Sequence, residues 1–239
     1  MLAPHLAAIE QQEPLLPSRD AVHDARVACR RVRAGLRLSG RRDLDAGVKE
    51  LQDALGKVRD LQLQVVWFEE RDEDLRRRRA ALCAKAEKAL QLALRRWHGR
   101  TLPALISLDA KAVSRGHARK VVRKRVGRLG ERLEAARARP SPPALHRARI
   151  SVKQVRYLIE LSERVLPRKV VALSRDLKTL QASLGELHDT DVRVALLERK
   201  PALLREQQDL RTRLLKIAAA QLARWHGQKI AQRTRALLE

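Results

Sequence analysis

The chain has 239 residues and carries 52 Lys and Arg against 28 Asp and Glu, a formal charge of +24. An excess of this size calls for a polyanionic partner, whether nucleic acid, polyphosphate or an anionic membrane surface. Most of the cations are Arg, whose planar fork suits phosphate oxygens. With three Trp, one Tyr and one Phe, the chain lacks the stacking platforms of single-stranded nucleic-acid binders, so contacts would go to backbone phosphates and not to bases.

Nearly every segment has helical period and none alternates with period two, so the expected class is all-α. Residues 4–13 read as a short helix broken by Pro14 and Pro17. Ser18 or Asp20 caps the next helix, which ends near Ser39-Gly40. Asp43 opens a helix to about Glu70, with Leu44, Val48, Leu51, Leu55 and Val58 as its apolar stripe. Another runs from about Asp72 to His98 and closes at Gly99, and Thr101 to Asp109, containing Pro103, reads as a loop or short turn. A helix from about Ala112 to Arg139 stops at Pro140-Ser141-Pro142-Pro143. That run is the clearest breaker, and it is the expected boundary between a first half, 1–139, and a second, 140–239, of one integrated domain. The following helix has Pro142 or Pro143 near its first turn and ends at Pro167. Helices from about Arg168 to Arg199 and from about Ala202 to His226 follow, separated by Pro201, and a tail continues to Leu238.

One stretch occurs twice. His23, Arg26, Arg30 and Arg33 recur in type as His146, Arg149, Lys153 and Arg156, offset by 123 residues throughout. On a helix each residue advances by about 100°, so His23, Arg26, Arg30, Arg33 and Arg37 fall within an arc of roughly 80°. Val22, Ala25, Cys29, Val32 and Leu36 form an adjacent apolar arc, and the second copy repeats it with Leu145, Ala148, Val152, Val155 and Ile159. Each helix should bury one stripe and carry a ladder of cations along its border. Like charges at this spacing repel by a few tenths of a kcal/mol per pair, and a multivalent anion would offset that cost.

The duplication extends further. Leu51-Gln52-x2-Leu55-Gly56-x3-Asp60 matches Leu180-Gln181-x2-Leu184-Gly185-x3-Asp189, and Trp97-His98-Gly99 matches Trp225-His226-Gly227. Motifs recurring in one order mark an internal repeat of a helical unit. Gly56 and Gly185 allow close helix approach, Asp60 and Asp189 read as partners that orient row arginines, and Trp97 and Trp225 read as core plugs.

Both duplicated motifs resemble those of the CHAD domain, a helical family named for its histidines, and the resemblance spans about His5 to Gly227. It implies two four-helix bundles related by a pseudo-twofold axis, with basic surfaces meeting in a central groove. It also implies binding of inorganic polyphosphate, and association with polyphosphate granules. Carried over residue by residue, the binding rows are His23, Arg26, Arg30, Arg33 and Arg37 with His146, Arg149, Lys153 and Arg156; Lys49, Arg119, Arg123, Tyr157 and Lys178 complete the candidate set. The rows differ: Glu160 stands where the first has Arg37, and Asp24 stands where the second has Arg147. CHAD domains often adjoin a strand-built CYTH domain, for which this sequence shows no strands, so triphosphatase activity is not implied.

No P-loop, nucleophile elbow or metal motif appears, and a binding protein is expected, not an enzyme, with no cofactor. His23 and His146 read as phosphate donors; a bridging role inside the bundle is the alternative. No HxxxH, HExxH or Cys/His cluster accompanies them, so no metal is expected. Cys29 and Cys83, far apart and without a CxxC, read as reduced core residues of a cytosolic protein. There is no apolar run approaching ~18 residues and no secretory signal pattern, so a cytoplasmic protein without a membrane span is expected. The competing readings are sequence-independent binding to nucleic-acid backbones and a basic scaffold that docks an acidic protein.

Overall fold

The structure, a computed structural model, describes residues 2–108 and 114–239, and among these it is helical with no strand. The chain divides into two compact units, Met1–Val113 and Ser114–Glu239. The first holds α1 (Ala3–Gln12), α2 (Arg19–Leu38), α3 (Asp45–Phe68), α4 (Glu73–Arg96) and α5 (Leu102–Ile106). The second holds α6 (Arg115–Ala138), α7 (Pro142–Leu161), α8 (Arg168–Leu196), α9 (Pro201–Gly227) and α10 (Ile230–Ala236).

Local chemistry sets several boundaries. The Leu75 amide donates to Asp72 Oδ1 at 2.9 Å, and the His117 amide donates to Ser114 Oγ at 3.2 Å, so α4 and α6 begin at side-chain caps. Gly40 takes φ +76 just past α2, and the Arg41 amide then reaches back to the Leu36 carbonyl at 2.9 Å, a glycine-type helix stop. Pro142 and Pro143 occupy the first turn of α7, where a missing amide hydrogen costs nothing.

In the first unit α2 packs against both α1 and α3, and α3 packs against α4. The stripe Val22, Ala25, Cys29, Val32 and Leu36 is buried as the spacing required, facing Val48, Leu51, Leu55 and Val58 of α3 and Leu90 of α4. In the second unit α7 packs against α6 and α8, α8 against α9, and α9 returns to α6. Leu145, Ala148, Val152, Val155 and Ile159 are buried there, with Val126 of α6, Leu177 and Leu184 of α8 and Ala218 of α9 also inside. Each buried Val or Leu contributes about 1.5–3 kcal/mol relative to exposure, so both basic helices are held by their apolar stripes.

Three expectations change. Thr101 to Asp109, read as a loop or short turn, instead starts inside a π-helical turn, Trp97–Thr101, that leads directly into α5. The chain therefore does not close at Gly99. Asp109 lies outside the described residues. So does Ala112, the expected start of the helix observed as α6. The compact units also divide before α6 and not at Pro140: α6 lies along α7 and α9, so the proline run makes a turn inside the second unit. Trp97 and Trp225 are buried as expected. The histidine after each meets a carboxylate on another segment of its own unit, His98 Nε2 with Glu13 Oε1 at 2.5 Å and His226 Nδ1 with Glu134 Oε2 at 2.9 Å.

Candidate anion-binding site

The first row runs along α2 beside its buried stripe. His23 is exposed, while Arg26, Arg30, Arg33 and Arg37 are half-buried along the apolar border. His23 and Arg30 have no hydrogen bond or ion pair among the described residues. Arg26 reaches Asp60 of α3, Nη1 to Oδ1 at 3.3 Å, and its guanidinium lies over Gly56; a Cβ there would sit 3.2 Å from Arg26 Nη2 and 3.3 Å from Nε. The glycine in the repeated motif thus makes the bed on which a row arginine rests.

The far end of the row is tied down. Arg33 donates two parallel bonds to Asp45, Nε to Oδ1 and Nη2 to Oδ2, both 2.8 Å, and Nη1 donates to Gln52 Oε1 at 3.2 Å. Arg37 Nη2 lies 3.7 Å from the same Asp45 carboxylate. Burial pushes the Asp45 carboxyl up, but the Arg33 hydrogen bond and the charges of Arg37, Arg33 and Lys49 outweigh it and hold the group below its usual value.

The second row runs along α7. Arg149 lies near Gly185, 3.9 Å from where its Cβ would be, a looser version of the Arg26 bed. Arg156 Nε donates to Gln181 Oε1 at 3.0 Å and its Nη1 to Glu160, and its guanidinium stacks over the Tyr157 ring with Cζ 4.6 Å from the centroid. Gln52 and Gln181, equivalent residues of the repeated Leu-Gln motif, therefore play one role: each accepts from the last arginine shared by the two copies. His146 Nδ1 sits 3.4 Å from His188 Nδ1 of α8, with ring centroids 4.6 Å apart. Burial, then the charges of Arg149 and Lys153, hold the His146 pKa below the usual histidine value.

The rest of the candidate set is dispersed. Lys49 and Lys178 are exposed, Lys49 pairing with Asp53 one turn on. Arg119 is half-buried on α6, and Arg123 pairs with Glu239 Oε1 at 2.5 Å. Tyr157 is buried, so its part is to support Arg156. Asp60 takes the expected role toward Arg26, but Asp189 does not: it is exposed and has no hydrogen bond or ion pair among the described residues. Spacing alone left Asp45, Gln52, Glu160, Gln181 and His188 out of the site. Gln52, Gln181 and His188 stand inside the repeated motif segments, where their positions on the face toward the basic helix were readable.

Chemically, each row is a ladder of donors whose trailing end is tied to a carboxylate. A cavity of about 240 Å³ in the second unit is lined by Glu134, Leu222, Trp225 and His226 among others, and by no row residue. An open cationic strip suits an extended polyanion better than a small molecule, which favours concave pockets. Among the described residues no group of three or more His, Cys, Asp or Glu is placed to hold a metal ion, and no helix is long and apolar enough to cross a membrane. Burial raises the Cys29 thiol to about 12; burial, then Glu87, raises Cys83 to about 11. Both are free and un-ionised.

No curated protein matches the chain. The crystal structure of the CHAD domain from the plant Ricinus communis superposes with a TM-score of 0.57 at 21% identity, covering 99% of this chain and 88% of that one, a likeness that shows the fold. The sequence also matches the CHAD domain family over residues 1–198. With both basic helices and the all-α architecture in place, the chain belongs to the CHAD domain family.

Proposed function

We propose that the protein binds inorganic polyphosphate, and that it does so as a binding module with no catalytic step. The observation that carries this reading is the form of the rows: cations at helical spacing on a well-packed border, with Arg30 half-exposed and without a hydrogen bond or ion pair among the described residues. Arg, Lys and His donate charge-assisted hydrogen bonds to successive phosphate units, each stronger than a neutral bond. Gly56 and Gly185 seat the arginine one turn before, and Gln52 and Gln181 fix the arginine that ends the common part of each row. Arginines held in place lose little side-chain entropy when a ligand arrives, which favours affinity.

In this reading the row of each half holds successive phosphate units of the polymer, and the protein resides with polyphosphate granules in the cytoplasm. Backbone-directed nucleic-acid binding uses the same charges, so the decisive experiment is a competition. Long-chain polyphosphate, duplex DNA and RNA are titrated in parallel at near-physiological salt and equal phosphate concentration. Polyphosphate is expected to bind most tightly. If RNA displaces it, the nucleic-acid reading replaces this one.

A further inference from the structure

The rows are not open along their whole length. In the first unit, Arg33 grips Asp45 with two 2.8 Å bonds, and Arg37 approaches the same carboxylate at 3.7 Å. In the second, Glu160 takes the ion pair of Arg156 from one turn further along α7. The two carboxylates have different origins, the first residue of α3 and a late turn of α7. Each nevertheless closes the same end of its row. Glu160 even occupies, in the repeat, the position of the cation Arg37.

We propose that Asp45 and Glu160 are built-in counter-anions: they occupy the C-terminal end of each row, confine the phosphate chain to His23, Arg26 and Arg30 or to His146, Arg149 and Lys153, and hold affinity below what the full set of cations would give. The inference rests on the polyphosphate reading and adds which cations the ligand is denied.

The physical argument has three parts. A guanidinium fork already engaged bidentately must give up two charge-assisted bonds before it can serve a phosphate. A fixed negative charge beside the row also repels the incoming polyanion, and in these half-buried positions solvent screens it less than at an open surface. The carboxylates meanwhile relieve the self-repulsion of the ladder, so each helix folds without ligand. Arg33 and Arg156 each keep a second acceptor, Gln52 and Gln181, so removing the carboxylate charge leaves the arginine positioned.

The test compares Glu160→Gln and Asp45→Asn with Glu73→Gln. Glu73 pairs with Arg76 at 2.6 and 2.7 Å and with Arg77 at 3.3 Å on α4, so this control makes the same change in net charge away from the rows. Affinity for long-chain inorganic polyphosphate is measured over a salt series, and cooperative unfolding is followed for each protein. The two row variants should bind several-fold more tightly and steepen the log–log salt slope by about one per cation released, by analogy with phosphate contacts in nucleic acids. Glu73→Gln should change neither by a comparable amount. An equal gain from Glu73→Gln overturns the inference, since net charge would then be the cause. Unchanged or weaker binding by a Glu160→Gln protein that still unfolds cooperatively overturns it too. Glu160 is the more exposed of the two carboxylates, so its variant keeps the test decisive even if Asp45→Asn unfolds. If the wild-type protein binds polyphosphate and Glu160→Gln brings no gain, this inference alone fails. If the wild type does not bind, the functional reading fails with it.

Discussion

The row on α2 and the row on α7 share one spacing and one position beside the core, yet their neighbours differ at each end. At the leading end, His23 is exposed without a partner among the described residues, while His146 is half-buried against His188. In the middle, Arg26 presses on Gly56 and pairs with Asp60, while Arg149 lies more loosely over Gly185 and Asp189 stands apart. At the trailing end, Asp45 holds two arginines from the start of the next helix, while Glu160 holds one from its own helix. Repeated spacing thus sets where the cations point. The residues packed against them, some inside the repeated motifs and some outside, decide how tightly each is held.

That difference predicts unequal responses to matched substitutions. The largest concerns the trailing end. Arg33→Ala removes the bidentate partner of Asp45, whose side chain is 23% exposed, and should cost about 1–3 kcal/mol, the penalty for stranding a half-buried polar group. Arg156→Ala strands Glu160, at 33% exposure, and should cost less, because water can solvate it. Denaturant unfolding of the two variants measures the contrast, and equal costs would show that the trailing ends are equivalent.

A smaller effect is expected in the middle. Ala is favoured over Gly inside a helix by roughly 1 kcal/mol. Gly185→Ala should realise most of that gain, since its Cβ would meet nothing nearer than Arg149 Nε at 3.9 Å. Gly56→Ala would place a methyl 3.2–3.4 Å from the Arg26 guanidinium. It should gain less or lose stability, and weaken polyphosphate binding by moving Arg26. Melting temperatures and ligand titrations of both variants decide the point; the same gain at both positions would refute the packing difference.

The smallest effect concerns pH. His146 has a pKa below the usual 6.5 in the folded protein, so around and below that pH the unfolded chain binds the extra proton. Stability therefore rises with pH in this window, and the contribution of His146 is a loss that grows as pH falls through 6.5 toward the lowered value. A bound polyanion acts in the opposite direction, favouring the imidazolium and raising the pKa. Polyphosphate binding should then take up a proton and tighten between about pH 8 and about pH 6. His146→Gln should flatten both trends. A variant that keeps the wild-type pH profile of affinity would remove His146 from the site.

The apolar stripes and the cation ladders were legible because helical period converts sequence spacing directly into faces: Val22 to Leu36 and Leu145 to Ile159 are buried where the 100° rule put them. The repeated glycines were legible as points of close approach, though not as beds for Arg26 and Arg149. What spacing could not show is pairing between elements. Asp45 lies 12 residues from Arg33 across a turn and a short 3₁₀ segment, and the geometry of that corner places it. The His146–His188 contact spans 42 residues and has no counterpart among the described residues of the first half. The π-helical turn after Trp97 was hidden because Gly99 and Pro103 read as punctuation, while tertiary packing of Trp97 and Leu102 keeps the backbone helical through them.

The central claim, that the two rows bind polyphosphate, is tested most directly by reversing one cation in each. Arg30→Glu with Lys153→Glu should weaken binding of long-chain polyphosphate by at least about 100-fold, taking about 1.5–3 kcal/mol for each charged hydrogen bond lost. The fold should persist, because both residues border the buried stripes without filling them. The comparison is Arg78→Glu with Arg213→Glu, two exposed cations off the rows with the same change in net charge. A large loss confined to the row variant is the result predicted; equal losses in the two variants would contradict the claim and leave net charge as the only determinant.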